Sequence, residues 1–273
     1  MKTLLEHNRG LKRAAKRSIR ESMLGSRMFP AVRDAYQICF DRTKFASRKQ
    51  ALDFYARLIS RGDLVFDVGA NEGEYSDLFL ALGAQVVAIE PNPACRERLR
   101  MVARRRGNLL IEDCAVGDSE GAAVLRIGSA SQLSTLSNEW YEMTQTSPAY
   151  RDVTWSGARK VRVMTLDGIA AKYGRPKFVK IDVEGFEDRV LRGMTFHPDA
   201  LSFEFHWELR NIVNDCMNTT GLKEQYRFNY TIGWSYCFES SDWMDAQELE
   251  KSLANANRRE DFGDIFCLRE RFA

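Results

Sequence analysis

The alternation of apolar and polar positions from residue 62 onward predicts strands and helices that follow one another along the chain. Short apolar runs at residues 64–68, 85–89 and 109–113 are typical of buried strands. Helical stretches separate them, over residues 74–82 and 93–106, and Asn92 is the predicted cap of the second. Thr165 is a candidate cap for a later helix that ends before Gly174. Strand, helix, strand, helix, strand is one half of a doubly wound parallel sheet, in which ligands bind beyond the carboxyl ends of the strands.

The second half of the chain resumes this pattern after an interruption. Apolar runs predict further strands at residues 177–181, 201–205, 228–234 and 264–268. Helices are expected between them, over residues 186–192, 208–216 and 243–254. The fold class is therefore α/β, with a mostly parallel sheet.

The interruption, at about residues 118–165, predicts a β insertion. Residues 123–127 and 161–164 are expected to be two strands paired with each other. The polar stretch between them is long enough to be a lid or a binding loop. Its aromatic residues could stack on a sugar ring or form the insertion's own small core; they are Trp140, Tyr141, Tyr150 and Trp155.

The first 48 residues predict a helical extension, followed by a main domain over residues 49–273. Residues 1–27 contain eight basic and two acidic side chains, a net charge of +6. Such a basic amphipathic helix can pack on the main domain, or it can make a weak contact with an anionic membrane surface. Both possibilities stay open at this point.

Composition excludes several other classes of protein. A net charge of +2, from 40 basic and 38 acidic residues, gives no reason to expect a nucleic-acid partner. No apolar run is long enough to span a membrane, and the first residues lack a signal peptide. We therefore expect a cytoplasmic protein with six reduced cysteines. The sequence contains no signal for an oligomeric state.

The turn after the first strand has the pattern of a cofactor site. Asp67, Gly69, Asn71 and Gly73 lie in the segment DVGANEG, where a strand gives way to a helix. Gly69 permits a tight turn and a close approach of the backbone to a ligand. The GxxxG spacing differs from the GxGxxG of dinucleotide-binding proteins, and no phosphate-loop Lys-Ser or Lys-Thr pair follows. A ligand without a pyrophosphate is expected.

Two acidic residues end the next two strands and extend this site. Glu90 follows the second strand, where a carboxylate can accept hydrogen bonds from both hydroxyls of a ribose. Asp113 ends the third strand and could accept a hydrogen bond from an adenine amino group. An adenosine with a short amino-acid arm would satisfy these positions.

Polar residues at the ends of the fourth and fifth strands predict the catalytic site. Alternation places Lys180, Asp182 and Glu184 on one face, and Glu204 and His206 on the neighbouring strand. His206 or Asp182 could be a general base, with Lys180 as a further candidate. Alternatively, Asp182, Glu204 and His206 could bind a divalent metal such as Mg²⁺, or the charged groups could form a structural ion pair.

These segments together resemble the FkbM-type methyltransferases, a family of class I S-adenosylmethionine-dependent enzymes. The matching segments are residues 62–73, 89–92, 115–118, 165–167, 180–187 and 190–193. The resemblance implies a seven-stranded sheet ordered 3-2-1-4-5-7-6, with the seventh strand antiparallel. It also implies S-adenosylmethionine as cofactor, and methyl transfer to a hydroxyl of a small molecule or glycan, commonly a sugar.

Two other functions are compatible with a fold of this type. A nicotinamide-dependent oxidoreductase would need the GxGxxG fingerprint, which the chain lacks. A non-catalytic binding protein could retain the cofactor fold, although Asp67, Gly69, Glu90 and Asp182 are all present. An O-methyltransferase acting on a carbohydrate or related metabolite is the favoured interpretation.

Overall fold

A computed structural model describes residues 42–219, 221–257 and 260–272. The basic arm at residues 1–27 lies outside these ranges. The first described helix, α1 (Arg42–Tyr55), crosses the boundary that was predicted between residues 48 and 49. Its residues Phe54 and Tyr55 are buried against the main domain.

Seven of the ten strands of the described residues form the central sheet: β1 (Leu64–Val68), β2 (Gln85–Ile89), β3 (Leu109–Glu112), β7 (Phe178–Ile181), β8 (Ala200–His206), β9 (Tyr226–Ile232) and β10 (Phe262–Arg269). Their order in the sheet is β3-β2-β1-β7-β8-β10-β9, and β4 to β6 belong to the insertion. The paired strands from β3 to β8 are parallel, and β10 runs antiparallel to β8 and β9. When the seven strands of this sheet are renumbered 1 to 7 along the chain, their order is 3-2-1-4-5-7-6. This order confirms the predicted fold class.

Helices cover both faces of the sheet. They are α2 (Glu74–Ala81), α3 (Pro93–Arg106), α5 (Leu166–Tyr173), α6 (Glu187–Arg192), α7 (Arg210–Met217), α8 (Leu222–Gln225) and α9 (Ala246–Asn255). One core joins α1, α2 and α3 to one face, and a larger core joins α5, α6, α7 and α9 to the other. Successive strand residues alternate between these cores, as Val65 and Phe66 do, because side chains along a strand point to opposite faces.

Local capping explains where several helices begin. The Asn92 side chain accepts a hydrogen bond from the Ala94 amide at the start of α3, and Pro93 occupies the first helical position. Thr165 accepts from the Gly168 amide at the start of α5. These caps satisfy backbone donors that have no partner inside the helix, as the sequence predicted.

The insertion contains a small sheet, of which the sequence predicted two strands, and a helix that it did not predict. Strands β4 (Ala115–Val116), β5 (Gly121–Gly128) and β6 (Trp155–Met164) are ordered β4-β6-β5, with β5 and β6 antiparallel as expected. Between them lie α4 (Asn138–Thr146) and two 3-10 turns, Ser131–Leu133 and Pro148–Tyr150. Only Trp140 and Thr144 of α4 are buried, so its apolar stripe is too thin to show a helical period.

Among residues 42–219, 221–257 and 260–272, no helix combines the length and apolar character that crossing a membrane requires. The cysteines in this part of the chain are free thiols; they are Cys95, Cys114, Cys216, Cys237 and Cys267. Cys39 lies outside the described residues.

Gly69 holds the ends of β1 and β7 together at the centre of the sheet. Its φ of 79° lies in the left-handed region, and an added Cβ would lie 1.7 Å from the carbonyl oxygen of Asp182. The Asp182 amide in turn donates to the Val68 carbonyl at 2.9 Å. A side chain at position 69 would therefore push against backbone rather than against a movable side chain.

We expect Gly69→Ala to lower the free energy of unfolding by about 2–5 kcal/mol, because it combines left-handed strain with a backbone clash. Urea denaturation measures this change. Gly121→Ala is the control, since Gly121 lacks a positive φ and a Cβ there meets nothing within 4 Å. Equal stability of the two variants would contradict the packing role of Gly69.

Candidate active site

A cavity of about 500 Å³ lies at the carboxyl ends of the parallel strands. The turn after β1, the ends of β2, β7 and β8, and the loop at residues 130–136 of the insertion form its walls. The predicted site residues that line it are Gly69, Asn71, Glu90, Asp182, Glu204 and His206. The cavity therefore joins the two groups of residues that the sequence placed at different strand ends.

Glu90 offers a buried carboxylate to one end of this cavity. Its Oε2 accepts a hydrogen bond from the Asn71 amide at 2.8 Å, and its Oε1 accepts one from the Asn92 amide at 2.6 Å. Burial outweighs these hydrogen bonds and raises the pKa of Glu90 to about 7. Each oxygen retains a second lone pair, so the carboxylate can accept from two further donors.

The other residues of the DVGANEG segment have different roles. Asn71 has a left-handed φ of 45°, which turns its amide toward Glu90. Asp67 lies beneath the cavity and accepts a hydrogen bond from the Ser76 hydroxyl. Gly73 faces Leu99 of α3, where an added Cβ would lie 2.7 Å from that side chain. Asp67 and Gly73 therefore shape the turn, and they are not among the described residues that line the cavity.

The structure does not place Asp113 in the cavity. Its side chain is 68% exposed and pairs with Arg96 at 2.5 Å. Strand β3 ends at Glu112, one residue earlier than predicted, so the side chain that lines the cavity is Cys114. The Glu112 side chain contacts Lys172 and does not line the cavity either.

Glu184, Glu204 and His206 converge at the other end of the cavity. The His206 Nε2 lies 3.2 Å from Glu204 Oε2 and 3.4 Å from Glu184 Oε2. Strands β7 and β8 are paired through Ile181 and Phe203, which brings the residues after β7 beside the end of β8. Burial and the nearby charge of Asp182 raise the pKa of Glu204 well above its ordinary value.

Lys180 and Asp182 belong to a second network beneath this cluster. The Lys180 ammonium is buried and lies 3.1 Å from Asp182 Oδ2 and 2.9 Å from Asp264 Oδ1. Burial alone would lower the pKa of Lys180, but these two carboxylates raise it well above its ordinary value. Lys180 is therefore bound within the sheet rather than exposed to a substrate. Because Lys180 engages Asp182, the group of converging ligands contains Glu184 in place of the predicted Asp182.

The insertion contributes two contacts to His206 that the sequence did not predict. The Tyr150 hydroxyl lies 3.5 Å from His206 Nδ1, and the centroids of the Trp140 and His206 rings are 4.3 Å apart. Burial alone would lower the pKa of His206, but the charges of Glu204 and Glu184 raise it well above its ordinary value. No spacing rule connects residues that are 56 positions apart in the chain.

The aromatic residues of the insertion do not form an exposed platform. Trp140 is fully buried, and Tyr141 packs on Trp155 at 5.0 Å, away from the cavity. The exposed aromatic side chain on the cavity wall is instead Trp234, which is 71% exposed and packs against Phe262 at 5.1 Å. Trp234 lies at the end of a strand that the sequence predicts, and no sequence pattern indicated a function for it.

Comparison with known proteins identifies related methyltransferases. The chain is 28% identical over 143 residues to the hexuronic acid methyltransferase AglP of Haloferax volcanii. The aligned region covers 52% of this chain and 54% of that protein. The chain therefore aligns with about half the length of this curated relative.

Solved structures of methyltransferases match the chain at low sequence identity and low TM-score. A TehB-like S-adenosylmethionine-dependent methyltransferase from Corynebacterium glutamicum matches with a TM-score of 0.41 and 9% identity, over 81% of this chain and 88% of that one. Precorrin-6y C5,15-methyltransferase from Geobacter metallireducens matches with a TM-score of 0.40 and 12% identity, over 82% and 87%.

The family assignment rests on the sequence of the domain itself. Residues 67–258 match the methyltransferase FkbM domain, and this range contains both the Glu90 site and the cluster around His206. The strand order agrees with the order that the resemblance implied. The chain belongs to the FkbM family of S-adenosylmethionine-dependent methyltransferases.

Proposed function

We propose that this methyltransferase transfers a methyl group to a hydroxyl oxygen of a carbohydrate or a related small metabolite. One observation supports this most directly. A single cavity joins the Glu90 carboxylate to the acidic cluster around His206 and to the exposed face of Trp234. A cofactor and a polar acceptor with a flat apolar face could therefore lie next to each other.

The Glu90 end of the cavity fits S-adenosylmethionine. The two free lone pairs of Glu90 match the two hydroxyl donors of a ribose. Leu125 and Leu133 line the cavity and would provide an apolar wall for an adenine ring. The amino-acid arm of the cofactor would lie against the backbone of Gly69 and Asn71. When bound, the cofactor supplies a methyl group attached to a positively charged sulfur.

The transfer is an in-line displacement. A bond forms between the acceptor oxygen and the methyl carbon while the bond between that carbon and sulfur breaks. The electron pair of the broken bond stays on sulfur, which gives S-adenosylhomocysteine. The acceptor's proton passes to a basic group of the cluster formed by Glu184, Glu204 and His206, because a neutral alcohol is a weak nucleophile. The protein's main contribution is to align oxygen, carbon and sulfur.

Two features favour a sugar as the acceptor. The indole face of Trp234 is exposed on the cavity wall, and aromatic faces stack on the apolar face of a sugar ring. The related protein from Haloferax volcanii is described as a hexuronic acid methyltransferase. A hexuronic acid offers both hydroxyl groups and a carboxylate, so the position of the new methyl group must be determined directly.

The direct test incubates the chain with methyl-labelled S-adenosylmethionine and two sugar panels, one of hexuronic acid oligosaccharides and one of neutral oligosaccharides. We expect a labelled product whose methyl group survives mild alkali, since an ether is stable where a carboxylate ester is hydrolysed. A labile product would contradict transfer to a hydroxyl. Tight binding of S-adenosylhomocysteine without turnover on either panel would instead favour a non-catalytic protein.

The affinity for S-adenosylhomocysteine should fall as the pH falls through about 7. The ionised carboxylate of Glu90 accepts hydroxyl hydrogens, whereas the protonated form loses acceptor capacity, and burial raises its pKa to about 7. We expect the dissociation constant from calorimetry to rise about tenfold between pH 8 and pH 6.

Two variants separate Glu90 from a general pH effect. Glu90→Gln should bind more weakly at pH 8 and show no change through this pH range. Glu97→Gln, on the exposed surface of α3, should keep the wild-type profile. A profile in Glu90→Gln that matches the wild type would exclude Glu90 as the titrating group.

Replacement of Trp234 tests the acceptor end of the cavity. Trp234→Ala should raise the KM for the acceptor about tenfold, roughly 1.4 kcal/mol, and leave S-adenosylhomocysteine binding unchanged, since it removes only a stacking surface. Phe272→Ala is the control, because Phe272 is an exposed aromatic residue outside the cavity. Steady-state kinetics on the best acceptor measure both variants. An unchanged KM in Trp234→Ala would contradict stacking of the acceptor on Trp234.

A further inference from the structure

The cluster of Glu184, Glu204 and His206 contains a buried oxygen without a hydrogen-bond partner. Oε2 of Glu184 lies 3.4 Å from His206 Nε2, yet it accepts no hydrogen bond from any described residue. The Glu184 side chain is 9% exposed, and the residue lines the cavity. An unsatisfied buried carboxylate oxygen is costly, so its retention indicates a partner that the protein itself does not provide.

The backbone holds Glu184 in this position at a cost. Its φ of 56° is in the left-handed region, which is rare for a residue with a side chain. The following Gly185 also has a positive φ, and the Glu184 carbonyl accepts a hydrogen bond from the Thr135 hydroxyl of the insertion at 2.7 Å. The strained turn after β7 thus directs the Glu184 carboxylate into the cluster instead of leaving it in solvent.

Charge is poorly balanced around the cluster. Three carboxylates, those of Asp182, Glu184 and Glu204, meet in a buried region next to Asp264. The buried ammonium of Lys180 compensates one of these four negative charges. With His206 neutral, as a metal ligand must be, a divalent cation would compensate two of the three that remain.

We propose that Glu184, Glu204 and His206 bind a divalent cation of the Mg²⁺ or Mn²⁺ type at the acceptor end of the cavity. One ligand atom from each residue lies within 4.8 Å of the other two. Ligands about 2.1 Å from a common ion are separated by up to about 4.2 Å, so small side-chain movements complete the site. Two carboxylate oxygens and one imidazole suit a hard cation with open positions for other ligands.

The neighbours of His206 are consistent with a metal-bound imidazole. Nε2 faces the two carboxylates, while Nδ1 lies 3.5 Å from the Tyr150 hydroxyl. A metal on Nε2 leaves the proton on Nδ1, where it can be donated to Tyr150. The Trp140 ring packs on the imidazole and restricts its rotation. The insertion therefore orients the one nitrogen ligand of the site.

The role of the ion, unlike its binding, depends on the proposed function. A divalent cation on this cluster would bind the acceptor hydroxyl and lower its pKa, and the proton would pass to the carboxylate oxygen of Glu184 or Glu204 that does not bind the ion. A second oxygen of the same sugar could occupy a neighbouring position on the ion. The site would then select acceptors with two adjacent oxygens, such as vicinal hydroxyls or a hydroxyl beside a carboxylate.

The test measures metal binding without any acceptor. The full chain is freed of metal with a chelator and then titrated with Mn²⁺ by calorimetry, in the presence of S-adenosylhomocysteine. We expect one ion per chain with a dissociation constant on the order of 10 µM. Glu184→Gln and Glu204→Gln should each weaken binding at least tenfold. Glu72→Gln should not, because Glu72 is an exposed carboxylate on the cavity wall outside the cluster.

Pulsed electron paramagnetic resonance of the bound Mn²⁺ gives an independent readout. A nitrogen coupling should be present in the wild type and absent in His206→Gln. Thermal melting and S-adenosylhomocysteine binding show whether each variant is folded.

A folded wild type that binds S-adenosylhomocysteine but neither Mn²⁺ nor Mg²⁺ would overturn the proposal. So would Glu184→Gln and Glu204→Gln variants that bind Mn²⁺ as tightly as Glu72→Gln. Because no acceptor is present, failure here leaves the proposed methyl transfer to a hydroxyl unaffected. Conversely, metal binding without methylation of any sugar would contradict the proposed function alone.

Discussion

The buried ammonium group of Lys180 is the interaction on which the carboxyl end of the sheet depends. It lies between Asp182 at the end of β7 and Asp264 on β10, two strands that are separated by β8. Loss of its charge would leave the buried Asp264 and the partly buried Asp182 without a counter-ion, which costs far more than the loss of a surface ion pair. Asp264 is paired in register with Glu204, so this network also supports the acidic cluster from below.

The two ends of the cavity are built in different ways. The Glu90 end comes from residues close in sequence, where the left-handed turn at Asn71 presents its amide to Glu90 only 19 residues later. The His206 end needs the ends of β7 and β8, the start of β10 and the insertion. The His206 end can therefore change in sequence without disturbing the first turn.

The insertion lines the cavity and contacts the acidic cluster directly. Trp140 of α4 is fully buried against the His206 ring, and the Thr135 hydroxyl binds the Glu184 carbonyl. These contacts orient two members of the acidic cluster from the side opposite the sheet. A segment with few apolar residues can be well ordered in this way, because one large aromatic side chain and a few hydrogen bonds connect it to the core.

The sequence by itself determined the strands, the helix caps, the cofactor turn and, through family resemblance, the strand order. Its period of two correctly brought Glu204 and His206 to one face of β8, since the strand persists through both residues. Asp113 was assigned to the site because it was expected to end β3, but that strand ends one residue earlier, at Glu112. Glu184 lies beside His206 through a left-handed turn after β7 and not through a continued strand. Tertiary structure decided that Lys180 engages Asp182, that Trp140 is buried and that Trp234 is exposed. Those outcomes depend on contacts between residues far apart in the chain, which local periodicity does not encode.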